Sequence, residues 1–98
     1  MACLIELLLP VTQNLDRGIL DTVRSELTTR FGGVTLHLNS PAEGLWDNNG
    51  DLERDNIVVV EVMTDDLDRP WWTQYRRELE RRLSQEYIVV RAVRIERL

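Results

Sequence analysis

The chain has 98 residues, 43 % of them hydrophobic and 30 % charged, with a formal net charge of −5. That length holds one domain and one core, and the balance is globular rather than disordered. An acidic domain repels phosphate backbones, which argues against nucleic acid as a partner. All 12 basic residues are arginine, so lysine Schiff-base chemistry and a phosphate-binding P-loop lysine are excluded. The one cysteine, Cys3, excludes a disulfide framework and any paired-cysteine redox or metal motif.

The first segment, Cys3 to Leu9, is short, apolar and stopped by Pro10, which predicts a central strand. Together with Val11 it is interrupted by Glu6, lacks a basic leader and is too short to cross a bilayer, so a cytoplasmic protein with no membrane partner is expected. Ile19, Leu20, Val23, Leu27 and Phe31 recur at helical spacing, predicting a helix over residues 16–31 with Gly32-Gly33 as its left-handed stop. Val34 to Leu38 alternates and predicts a half-buried strand broken by Ser40-Pro41. Ala42 to Asn56 is polar and turn-rich. Asn49-Gly50 there predicts a tight hairpin, with Leu45-Trp46 and Leu52-Glu53 as short arms.

Ile57 to Met63 is the strongest strand signal and predicts a central strand. Thr64 to Asp68 caps a second helix with Pro70 in its first turn. Its apolar stripe is Trp72, Tyr75, Leu79 and Leu83, with Arg76, Arg77, Glu80 and Arg81 on the wet side. Trp72 is expected in the core and Trp71 as a partly exposed binding anchor. A last strand is expected over about Tyr87 to Ile95.

The order β-α-β-β-α-β predicts an α+β, ferredoxin-like sandwich: one four-stranded antiparallel sheet, both helices on one face, strands ordered fourth, first, third, second. The most apolar phase of each strand should face the helices: Ile5, Leu7, Leu9, Leu36, Leu38, Val58, Val60, Val62, Ile88, Val90 and Ala92. The opposite face then carries Glu6, Glu61, His37 and Arg91 within an apolar surround of Leu4, Leu8, Ile57, Val59, Met63, Val89 and Val93. So large an apolar face asks for a cover.

Two readings follow from that face. In the first, a homodimer or another protein partner covers it, and the charged stripe fixes register in a non-catalytic, oligomerising or partner-binding module. In the second, Glu6, Glu61 and His37 are catalytic, as in a small acid–base enzyme of the dimeric α+β barrel kind. A divalent metal has no ligand spacing to hold it, and no cofactor motif is present.

Phe31-Gly32-Gly33-Val34-Thr35, Gly44-Leu45-Trp46, Asn49-Gly50 and Gln85-Glu86 occur in the order found in a group of small bacterial proteins of unknown function, which the chain resembles over about two thirds of its length. That resemblance implies the ferredoxin-like fold and no particular activity. It draws attention to Trp46 as a binding residue, since a tryptophan in a polar segment docks back or lines a pocket. Asp16-Arg17-Gly18-Ile19-Leu20 is similar, without its proline, to the run that opens the first helix of ACT-type regulatory domains. That similarity implies a third reading, a domain binding a small metabolite.

Overall fold

The computed structural model describes residues 2–48 and 51–98, with backbone only for 39–55. The elements are β1 (Cys3–Pro10), α1 (Arg17–Phe31), β2 (Thr35–Asn48), β3 (Asp51–Thr64), α2 (Arg69–Arg82) and β4 (Val89–Arg94). The strands form one antiparallel sheet in the order β2-β3-β1-β4, the ferredoxin-like arrangement.

Local chemistry sets both helices. The Asp16 carboxylate accepts from the Ile19 amide at 2.8 Å and opens α1. Gly32 closes it in the left-handed region at φ 85°, its amide donating to the Thr28 carbonyl at 2.8 Å. Asp68 caps α2 by accepting from the Trp71 amide at 3.1 Å, and Pro70 occupies the first turn, where an N–H is not needed.

Ile5, Leu7 and Leu9 of β1 and Val58, Val60 and Val62 of β3 pack with Val23, Leu27, Trp72, Tyr75 and Leu79 from the helices. Each fully buried Leu there contributes about 2 kcal/mol of transfer free energy. Arg82 clamps the two helices together. Its guanidinium donates to both Glu26 oxygens at 2.6 and 3.0 Å, and the Tyr75 hydroxyl donates to Glu26 at 3.2 Å.

Several expectations are corrected. Ser40-Pro41 does not break the second strand: β2 runs on to Asn48, and Ala42 to Asn48 pairs with Asp51 to Ile57 as ladder rather than loop. The register shifts between His37 and Ala42, so the interruption is an irregularity within one long hairpin. Proline is tolerated there because β2 is an edge strand with one side of its backbone unpaired. The turn expected at Asn49-Gly50 lies outside the described residues. Leu38 is 40 % exposed rather than buried, and inward-phased Ala92 is exposed, lining an open cavity between β4 and Trp72, Thr73 and Arg76 of α2. The last strand is shorter than Tyr87 to Ile95, and Tyr87 lies outside it, more than half exposed. Arg76 and Glu80 are not on a wet face: they are half-buried, pair at 2.8 Å, and Glu80 accepts from the Ile88 amide at 2.9 Å, tying α2 to the approach to β4.

Candidate functional site

The outer face of the sheet, away from the helices, is built by the alternate phase of the same strands. Glu6 lies directly opposite Glu61 on β3 and opposite Arg91 on β4, and Thr35 of β2 completes that row beyond Glu61. The Arg91 Nε donates to Glu6 Oε1 at 3.0 Å. His37 is not in the same row. It lies opposite Val59, one step along the ladder, and its Nε2 reaches diagonally to contact Glu61 Oε1. The four residues form a zigzag, Arg91–Glu6–Glu61–His37, in which the two carboxylates are the central pair and a basic side chain stands at each end.

Exposure grades across this stripe. Glu6 and Glu61 keep 21 % and 26 % of their side chains exposed, while Arg91 and His37 keep about half. The carboxylates sit in the sheet centre because β1 and β3 are its central strands. Arg91 and His37 sit towards its edges. On one side the row is flanked by Val93, Leu4 and Met63, on the other by Val89, Leu8 and Val59. Met63 and Val93 are half exposed, so this apolar surface is open in the single chain.

Chemically, the stripe can hold or relay a proton between His37 and Glu61, and it can present an ordered row of charges to another surface. Among the described residues, no group of three or more His, Cys, Asp or Glu side chains is placed to hold a metal ion, and Glu6, Glu61 and His37 form none.

The other residues singled out by sequence lie apart from this face. Trp71 is half-buried in the helical layer. Its ring stacks on Tyr75 at 4.9 Å, meets Trp72 edge-on at 4.7 Å and carries the Arg30 guanidinium at 4.4 Å. Its ring is packed on three sides and, as expected, stays partly exposed. Trp46 lies in β2 opposite Glu53, and its side chain lies outside the described residues.

Sequence reasoning passed over two features. One is the Glu26–Arg82–Tyr75 network. Arg82 holds the Glu26 carboxyl below its usual range, while burial, then Glu26, pushes the Tyr75 phenol well above its own. Glu26 in the α1 stripe region and Arg82 in the last turn of α2 were separable signals, but nothing in the spacing pairs them. The other is a pocket of about 430 Å³ at the end of the outer face, walled by the Phe31–Thr35 segment together with Leu4, Glu61, Met63 and Arg97.

No helix among the described residues is long and apolar enough to cross a membrane. No family model matches the chain, and no curated protein matches it in sequence. Solved structures do share its shape. The divalent cation tolerance protein Cut A1 from Thermus thermophilus has a TM-score of 0.67 at 11 % identity, covering 99 % of this chain and 86 % of that one. The periplasmic divalent cation tolerance protein CutA from Archaeoglobus fulgidus gives 0.63 at 18 % identity, over 99 % and 86 %. A phage SAM lyase in its apo state gives 0.56 at 17 % identity, over 94 % and 78 %. At these identities the likeness shows that this chain has their fold.

Proposed function

We propose that the chain is a non-catalytic module that assembles through the outer face of its sheet, with a second copy of itself as the partner. The observation that carries this reading is the open apolar surface around the charged zigzag, where Met63 and Val93 stand half exposed beside Leu4 and Leu8. A face of this kind is covered in a working protein. The stripe suits a two-fold contact centred on its Arg91–Glu6 end, where Arg91 of each copy meets Glu6 of the other. The similar proteins named for divalent cation tolerance support the module's architecture, and no cation role is carried over from them. Light scattering coupled to size exclusion tests the reading. A mass of twice the chain's 11.5 kDa is expected, and a mass of 11.5 kDa at micromolar concentration overturns it.

A second reading has its own observation. The contact between His37 and Glu61, with Glu6 opposite, is an arrangement a proton-transfer enzyme uses. The phage lyase shows that this fold can carry an enzyme. Loss of a measured turnover in His37→Ala, with the fold intact by circular dichroism, would select this reading over the first.

A further inference from the structure

The Phe31-Gly32-Gly33-Val34-Thr35 run, prominent in the sequence, is not used by the charged zigzag. In the structure all five of its residues wall one pocket of about 430 Å³, where the turn after α1 meets the end of the outer sheet face. We propose that this pocket is a binding site for a free α-amino acid with an apolar side chain.

Three features define the ligand. The pocket has one charge of each sign. Glu61 contributes a carboxylate from β3, and Arg97 contributes a guanidinium from the C-terminal tail. That tail is held against the sheet by the Ile95 amide, which donates to the Ala2 carbonyl at 3.0 Å. A small zwitterion satisfies both charges: its ammonium is drawn to Glu61, its carboxylate to Arg97. Thr35, opposite Glu61 in the ladder, adds a hydroxyl that can donate or accept. The remaining wall is apolar, from Leu4, Met63, Phe31 and Val34, and takes a hydrocarbon or thioether side chain. Both charged groups have a neighbour in the single chain. Glu61 contacts His37, and Arg97 lies 3.6 Å from Asp65. A carboxylate and a guanidinium each have capacity for further hydrogen bonds.

The second glycine is the independent pointer. Gly32 is required by the backbone, since its φ of 85° closes α1. Gly33 is not: its φ is not in the left-handed region, and a Cβ built there meets nothing within 4 Å. Folding therefore does not demand a glycine at 33, whereas a cavity that must stay open beside the backbone does.

All the walls come from one chain, so the site is complete without a partner. Leu4, Glu61 and Met63 are shared with the face proposed to pair, and leucine and a second copy compete for them. The test is a titration of the full chain with L-leucine, followed by heteronuclear NMR, with 4-methylpentanoate and isopentylamine as half-ligands and light scattering in parallel. Saturable leucine binding, with shifts at Gly33, Thr35 and Met63 and affinity at least about tenfold above either half-ligand, is expected. Arg97→Gln and Glu61→Gln should each weaken binding by about tenfold, and Gly33→Val by more. No saturable shift at millimolar leucine overturns the proposal, as does 4-methylpentanoate binding as tightly as leucine, which would mark a simple anion site. Unchanged leucine affinity in both Gly33→Val and Arg97→Gln overturns it too. A monomeric mass without leucine, with leucine binding intact, would remove the assembly reading and leave this one standing.

Discussion

Glu6 and Glu61 face each other directly across the two central strands, and each turns to a basic side chain on its other side: the Arg91 guanidinium at 3.0 Å for Glu6, the His37 imidazole for Glu61. Like charges placed opposite in a sheet are destabilising, so the outer partners, the Arg91 charge above all, are what make the central pair tolerable. Arg91→Ala should therefore cost about 0.5–1 kcal/mol, and Glu6→Gln in that background should recover most of it. Urea unfolding of the four proteins of the cycle measures this. Additive losses would mean that Arg91 and Glu6 act independently, and that the stripe has no electrostatic logic.

Assembly through this face makes a separate demand. Met63 is half exposed on β3 next to Leu4, on the apolar flank of the stripe. Met63→Glu places a third carboxylate beside Glu61 and Glu6, in a surface that must lose its water on pairing. The variant should fold, because the residue contributes nothing to the helical side of the sheet. It should elute with the mass of one chain where the parent elutes with two. An unchanged mass would move the contact to some other surface.

The architecture was legible because its signals are local and repeated. The alternation in Val58, Val60 and Val62, and the helical spacing of Val23 and Leu27, name the same core that the structure buries. The facing of Glu6, Glu61 and Arg91 follows from phase plus topology. What stayed hidden depends on register and on cover. Nothing in Ser40-Pro41 says whether a proline ends a strand or sits on a free edge, and only the sheet order decides it. Leu38 has an inward phase and shares a groove with Leu15, Leu20 and Val58, but no side chain among the described residues closes over it. The Phe31–Thr35 run announced itself as a motif, while its partners Leu4, Glu61 and Arg97 come from three distant parts of the chain.

The two adjacent glycines should separate cleanly in stability. Gly32→Ala forces a side chain into the left-handed region at φ 85° and should cost about 1 kcal/mol. Gly33→Ala meets open space without that strain, so it should be neutral or stabilise by about 0.5 kcal/mol through the unfolded chain. Thermal unfolding of both variants checks the contrast. Equal losses at the two positions would show that Gly33 is needed by the backbone, and would weaken its assignment to the pocket.

The last prediction concerns pH, and it rests on the clamp between the helices. Arg82, by hydrogen bonding and then by charge, holds the Glu26 carboxyl below its usual 4.5 in the folded chain. A depressed carboxyl contributes stability that is present above its unfolded pKa and is lost as pH falls through the folded one. With about a third of the Glu26 side chain exposed, the contribution is screened to about 1 kcal/mol. Tyr75 works in the opposite sense. Burial, then the Glu26 charge, raises its phenol above the usual 10.0, so its contribution is complete below pH 10 and declines as pH climbs and the unfolded chain ionises. The unfolding midpoint should therefore fall on both flanks, below about pH 5 and above about pH 10. Glu26→Gln should flatten the acid flank, and it should soften the alkaline one, because the charge that raises Tyr75 is gone. Tyr75→Phe should flatten the alkaline flank and leave the acid flank nearly as steep, since Arg82 remains on Glu26. Melting curves of the parent and the two variants across that range decide it. An acid flank unchanged in Glu26→Gln would transfer acid lability to other carboxylates and remove the clamp from the account.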